Sequence, residues 1–501
     1  DVSVAARQDL NNIGGSISAV NSLNASAGRD LNVQTTTRSA ANAQSSHTVV
    51  DRVAGLYVSG SNGTLIASAG RDLNIVAGVV NNAGSGDSKL EAGNNVNLST
   101  VKTGQSHHIV WDANNYRQDS ASADVGSTVQ GGGAVKLQAG QTVSATAADV
   151  QAKKALSVQA TNINVQAGQS TQNVDEAHQH TSKGFLSKTT TTTRDTSSST
   201  TALGSNLGGN TVNLSASNDI DIKGSNVVAD LDTTLQAGGN VNIEAAQNSS
   251  SSRSYRSETK SGLMGSRGLG VSYGKQKQSL GQQNATTTAV GSTVGSVEGD
   301  VTIHAGSQYK QVGSDVLAPQ GDIAITAKTV DIQEARETSK QSMEQKFEQS
   351  GLTLAVTSTV LSTLQNAQNQ IKATQQTKSD RMQALGTAGA AANVKMAADA
   401  LKAGQGDENG MVKTGAESAD GSPEVAQANA ADKAGGIQVS LSYGQSSSQN
   451  KQTSQSDTAR GSTVKAGDTV NIKAAGDAQN SNLTVQGSEV SAKTVNLEAD
   501  N

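Results

Sequence analysis

One short pattern recurs through the chain: an Ala-Gly pair, one or two polar residues, then an aliphatic–polar–aliphatic triplet. It reads AGRDLNV at 27–33, AGRDLNI at 69–75, AGNNVNL at 92–98, AGGNVNIEAA at 237–246 and AGDTVNIKAA at 466–475. In a strand, alternate side chains point to opposite faces, so Val241 and Ile243 share a dry face while Asn242 points to water. Asn holds the central position at 32, 74, 97, 164, 213, 242, 471 and 496, and other polar residues hold it in Ile220-Asp221-Ile222, Val301-Thr302-Ile303 and Val330-Asp331-Ile332. Each triplet predicts one short strand with a single apolar face. The Ala-Gly pair predicts a corner, with the glycine supplying positive φ.

A longer unit encloses these strands. Gly-Ser opens it at 126–127, 204–205, 291–292 and 461–462, and a second Gly-Ser-x-Val follows at 224–227, 313–316 and 487–490. The spacing gives two coils of about 20 residues per unit, a solenoid period. No coil buries its apolar face alone, so coils stack strand on strand. The predicted fold class is all-β: a parallel β-helix, right-handed by the crossover preference, with protruding β-hairpin inserts and one helical insert. About 12 coils at ~4.8 Å each would make a rod of ~60 Å. Outward Asn residues are placed to form ladders between coils; a solvated polar face is the alternative.

Composition agrees with a thin core of many short strands. Aromatic residues are 2% of the 501 and hydrophobic residues 34%, with 52 Gly and only 2 Pro. Charged residues make up 16% with a net charge of −5, which leaves no polybasic surface for nucleic acid. Cysteine is absent and no apolar run approaches a membrane span. Both ends fall inside repeats, so the chain is expected to be a piece of a longer one.

Polar inserts interrupt the units, at about 36–60, 101–124, 169–203 and 247–290, within a β-helix domain at 1–335. Their Ser/Thr/Gln alternation predicts long hairpins; a flexible loop is the rival reading. From 336 to 434 the period changes. Val356, Val360, Leu364, Ala367 and Ile371 form one helical stripe, and Met382, Leu385, Ala392, Met396 and Leu401 a second. We expect a helical hairpin with a flexible return, and then a hairpin strand and the final coils at 435–501. The stripe is the candidate membrane-contact element; packing against the rod is the alternative.

Catalytic chemistry has weaker support. Asp219/Asp221 and Asp230/Asp232 are i, i+2 carboxylate pairs of the kind a polysaccharide-active β-helix would use, but a solvated β-helix wall is the preferred reading of them. His178 and His180, with Glu176 nearby, lack a firm third metal ligand. His107, His108, Trp111 and Tyr116 form the one aromatic cluster, with contact to a glycan or lipid headgroup weighed against packing on the rod. Neither a cofactor nor a metal site is expected, and the chain is read as non-enzymatic.

The AGRDLN/AGNNVN/AGGNVNI triplets, the Gly-Ser corners and the segment KSGLMGSRGLGVSYGKQKQS at 260–279 resemble the hemagglutinin repeats of filamentous-hemagglutinin-like proteins. The insert SGLTLAVTSTVLSTLQNAQNQ, followed by GGIQVSLSYGQSSSQ, resembles the second hemagglutinin-repeat region of contact-dependent growth inhibition effectors. The resemblance implies a secreted, cell-surface parent associated with the outer membrane and exported by an outer-membrane partner transporter. It also implies a toxin at the far C-terminus of that parent, and a repeat region that engages the target-cell outer membrane to assist delivery. The alternatives are a passive filament stalk or adhesin rod and, third, a polysaccharide-active enzyme.

Overall fold

The computed structural model describes residues 1–265, 271–357, 394–395, 398–399, 411–417, 423–427, 438–477 and 480–500. The triplets are strands in three parallel sheets. One sheet has twelve strands, from Val2–Ala6 to Thr494–Ala499, and the other two have eleven each. The chain visits the three sheets in a fixed order, winding a parallel β-helix of eleven coils and the opening strand of a twelfth. Burial alternates as the triplets require: Val135–Ala139 buries Val135, Leu137 and Ala139 and leaves Lys136 and Gln138 at the surface. The core is a column of Leu, Ile, Val and Ala, and Tyr309 is its largest fully buried side chain. Burial pushes the Tyr309 phenol up, and its hydroxyl is satisfied by Gln311 Oε1 at 2.8 Å.

Two kinds of glycine make the corners, for different reasons. The Ala-Gly glycines do not take positive φ, contrary to the sequence expectation. They are needed because successive coils approach closely there: a Cβ on Gly70 would overlap the carbonyl of Gly28, one on Gly93 that of Gly70, and one on Gly140 that of Gly93. Positive φ recurs instead at the corner between the second and third sheets. In every odd-numbered coil one residue turns there, at Gly14, Ala77, Ala147, Gly224, Gly313 and Gly487, with φ between 47° and 59°. Glycine takes this conformation without the steric cost that Ala77 and Ala147 bear.

The serine after these corners is buried and spans coils. Ser205, Ser225, Ser292, Ser314 and Ser462 are at most 1% exposed. Ser292 Oγ donates to the carbonyl of Glu244 (2.7 Å) and accepts from Ser225 N (3.2 Å), while Ser292 N donates to Ser314 Oγ (3.1 Å). The pattern repeats upward, with Ser314 N to Ser462 Oγ and Ser462 N to Ser488 Oγ. On the second sheet's outer face Asn32, Asn74 and Asn97 each donate to the residue one coil below, over 2.7–2.9 Å. The expected asparagine ladders therefore form at these positions.

In every even-numbered coil the same corner is replaced by an antiparallel hairpin. These pair Thr36–Ala41 with Ser45–Arg52, Val101–Asp112 with Asn115–Val125, and Gly168–Gly184 with Ser187–Leu203. The fourth pairs Ala246–Gly265 with Val271–Val290, and the fifth Ala335–Thr357 with Gln438–Arg460. The hairpins do not stand apart: they bond edge to edge into a ten-stranded sheet. The reason is metric. Hairpins on alternate coils start about 9.6 Å apart, twice the ~4.8 Å coil rise, and a hairpin is two strands wide at the same spacing. Strand length grows from 6 and 8 residues in the first hairpin to 23 in both strands of the fifth, so the sheet widens along the rod as a fin.

The fifth hairpin corrects the sequence reading of 336–434. Its first 22 residues are strand, including Val356, because Leu352, Leu354 and Val356 alternate with period 2 and pair with Leu441 and its neighbours. Of the remaining stripe, Val360, Leu364, Ala367, Ile371, Met382, Leu385, Ala392, Met396 and Leu401 lie outside the described residues. A short antiparallel pair, Met411–Glu417 with Pro423–Gln427, lies in the same segment.

Candidate functional site

The fin has two solvent-facing sides, and directly opposed residues of an antiparallel pair share a side. Near the rod both sides are rows of Ser, Thr, Gln and Asn joined across strands, as in Ser46–Ser106 (2.7 Å) and Ser122–Thr171 (2.8 Å). Toward the tip the chemistry changes at a line of glycines. Gly262, Gly274, Gly351 and Gly444 stand opposite one another across four strands, with Ser187 next in the row. A Cβ on Gly274 would overlap the Ser350 carbonyl, and one on Gly262 the Leu186 carbonyl.

Immediately beyond the glycines, Leu263, Tyr273, Leu352 and Tyr443 are aligned across the same four strands, and all are exposed, Tyr443 to 81%. Two residues further out on the same side come Val271, Leu354 and Leu441, each also exposed. Phe185 and Leu186, at the turn of the third hairpin, add to the edge of this patch. On the rod side of the glycines the same face carries Lys183 opposite Lys188, and Lys188 in line with Ser261 and Lys275. Three hairpins thus build one apolar patch, with tyrosines in its inner row and lysines behind them. A contiguous exposed patch of this kind marks an interaction surface. The tripeptides Ser-Gly-Leu at 261–263 and 350–352 and Ser-Tyr-Gly at 272–274 and 442–444 are its sequence signal, which reading the arms one at a time misses.

The candidate carboxylates fall elsewhere. Asp219 and Asp221 lie at the second sheet, where Asp219 Oδ1 accepts from Asn240 N (2.7 Å) and Asp221 Oδ1 from Asn242 Nδ2 (2.7 Å), so both serve coil-to-coil bonding. Asp230 and Asp232 sit at the corner from the third sheet into the next coil, where Asp232 Oδ1 accepts from Asp300 N (3.0 Å). The fold does not bring the two pairs together. His178 stands against Trp111 in the fin, while His180 opposes Thr191. Tyr116 is on the other side, donating to Asp175 at 3.2 Å. His107 Nδ1 meets Asp119 Oδ2 at 2.8 Å, and this contact holds the Asp119 carboxyl below the usual carboxylate range.

Comparison with known proteins places the chain. The sequence pattern of the Hemagglutinin repeat family matches residues 111–194, 186–345 and 353–501. The 16S rRNA endonuclease CdiA of Enterobacter cloacae is 37% identical over 324 residues, 64% of this chain and 9% of that protein. A tRNA nuclease CdiA of Escherichia coli is 35% identical over 62% of this chain and 9% of its own length. The tRNA nuclease CdiA-2 of Burkholderia pseudomallei is 31% identical over 77% of this chain and 12% of its own. The chain therefore spans about a tenth of the length of these relatives. No solved structure matches it. The chain belongs to the hemagglutinin repeat family, as a segment of a filamentous-hemagglutinin-like protein of the contact-dependent growth inhibition type.

Proposed function

We propose that this segment is a non-enzymatic contact module of a secreted, cell-surface parent, engaging the outer membrane of a neighbouring cell and assisting delivery of a C-terminal toxin. The observation that carries the reading is the aligned row Leu263, Tyr273, Leu352 and Tyr443 at the fin tip. Tyrosine favours the membrane–water boundary, where its ring sits among acyl chains and its hydroxyl among headgroups. Lys183, Lys188 and Lys275 behind the row suit anionic headgroups, each contributing about 1 kcal/mol near such a surface. The rod holds this edge at a fixed distance, and rigid presentation limits the entropy lost on contact. Export of the parent by an outer-membrane transporter and the presence of a toxin beyond this segment belong to the same proposal, supported by the relatives' CdiA names. The stripe from Val360 to Leu401, which the sequence spacing predicts as helical, is a second contact element of that reading.

The test is flotation of the purified segment with outer-membrane vesicles. Two variants accompany it: Tyr273→Ser with Leu352→Ser and Tyr443→Ser, and a deletion confined to 361–434, which spares the fin strands. The reading predicts co-flotation of the intact segment and its loss in the tip variant. A further loss in the deletion would assign part of the contact to the helical stripe. An intact segment that stays at the bottom of the gradient would leave a passive stalk in its place.

A further inference from the structure

The second hairpin of the fin stops short of the third, which makes a step in the sheet. Its strands end at Asp112 and Asn115, while the neighbouring strand runs on to Gly184. Trp111, the only tryptophan in the chain, stands at this step. The ladder skips it: pairing passes from Val110–Tyr116 to Asp112–Asn115 with a register shift between. Such a bulge re-aims a side chain instead of ending a strand at random. The indole is 61% exposed, and its centroid lies 6.0 Å from that of His178, with the rings tilted by 38°.

The turn that carries the indole is held by hydrogen bonds. Asn114 N and Asn115 Nδ2 donate to the two carboxylate oxygens of Asp112, both at 2.7 Å, and Gln179 N donates to Asn115 Oδ1 at 2.8 Å, which ties the hairpin tip to its neighbour. On the same side of the sheet Arg117 bridges Asp119 (3.2 Å) and Glu176 (3.0 Å). Glu176 faces Asp195 across the next pairing. Packing does not explain the tryptophan, because a ring placed for packing would be covered. Here a flat apolar face stays open at His178, on the side of the sheet where carboxylates and a guanidinium hold one another in place.

That is the chemistry that recognises a sugar: the C–H face of a pyranose lies on an aromatic ring while its hydroxyls meet fixed, directional polar groups. The charge selects among sugars. Asp119, Glu176 and Asp195 outnumber Arg117, whose charge is already shared between two of them, and Arg256, which stands two strands from His178 in the same row, so the site disfavours uronic or sulfated rings. We propose that Trp111 and His178, with Glu176 and Arg117, form a binding site for one neutral pyranose ring of a polysaccharide. The site is independent of the apolar fin tip and of membrane contact.

A single tryptophan makes the test direct, since its emission reports this site alone. The intact segment is titrated with maltohexaose, cellohexaose and chitohexaose, and with polygalacturonate as the acidic counterpart. At least one neutral oligomer is expected to give a saturable emission shift at up to millimolar concentration, and polygalacturonate none. By calorimetry Trp111→Ala abolishes the binding, and Glu176→Gln, which leaves the indole and the hairpin turn in place, weakens it about tenfold, as expected for losing a charge-assisted hydrogen bond. An emission spectrum unmoved by all three neutral oligomers, an equal response to polygalacturonate, or undiminished binding by Trp111→Ala would each overturn the proposal.

Discussion

Rod and fin are both β-sheet, yet different forces specify them. In the rod each strand has one dry face, and a one-residue slip would carry Val241 and Ile243 into water, so burial alone fixes the register. In the fin both sides are wet, and a slip among the polar rows from Thr189 to Thr200 would expose nothing new. Its register is inherited instead: each hairpin is anchored at both ends on the rod, and the two-coil period brings neighbours to bonding distance. A sheet with almost no core can therefore be ordered by the sheet that carries it.

This contrast predicts unequal responses to matched substitutions. Leu235→Ala, in the fully buried column, should cost about 2–5 kcal/mol and lower the urea midpoint accordingly. Leu280→Ala in the fin, where the side chain is 37% exposed, should cost well under half as much. Equal losses would mean that the fin has a core of its own. Ser292→Ala should cost about 1–3 kcal/mol, because the Glu244 carbonyl and the Ser225 amide lose their partner inside the rod. Ser249→Ala, exposed on the fin, should stay within about 0.5 kcal/mol.

Smaller effects sharpen the picture of the fin itself. Gly274→Ala places a methyl group against the Ser350 carbonyl, so amide exchange at Tyr273 and Leu352 should accelerate while exchange in the rod is unchanged. The smallest effect is on pH. The folded state lowers the Asp119 pKa, chiefly through the His107 contact, so its contribution is complete above the ordinary carboxylate value of about 4 and lost as pH falls through the depressed one. A modest acid-side change in Trp111 emission should follow, and should be absent in Asp119→Asn.

Much of the rod was legible because its rules are local. Alternation in the triplets gives the strands, and paired Gly-Ser corners give a two-coil unit. The role of the Ala-Gly glycines was not, since close approach between coils depends on atoms some 20 residues away or more, as Gly28 is from Gly70. At the start of the largest insert two periods compete: Leu352, Leu354 and Val356 fit a strand, while Val356, Val360 and Leu364 fit a helix. Pairing with Gln438–Arg460, a contact across about 80 residues of chain, decides for strand as far as Thr357. The fin tip was hidden for the same reason. Leu263, Tyr273, Leu352 and Tyr443 are scattered in sequence, and only the common register of the fourth and fifth hairpins collects the first two with the last two.

The most direct test of inherited register is to remove one hairpin-free coil, residues 212–232, which joins Thr211 to Thr233 and brings the third and fourth hairpins onto adjacent coils, only about 4.8 Å apart. Hydrogen exchange is then compared with the intact chain. The account predicts that rod amides such as those of Leu156 and Val294 stay protected, while the pairing of Ser187–Thr200 with Ser249–Gly262 is lost. Full protection of both strands in the shortened chain would contradict it, and would show that the fin sets its own register.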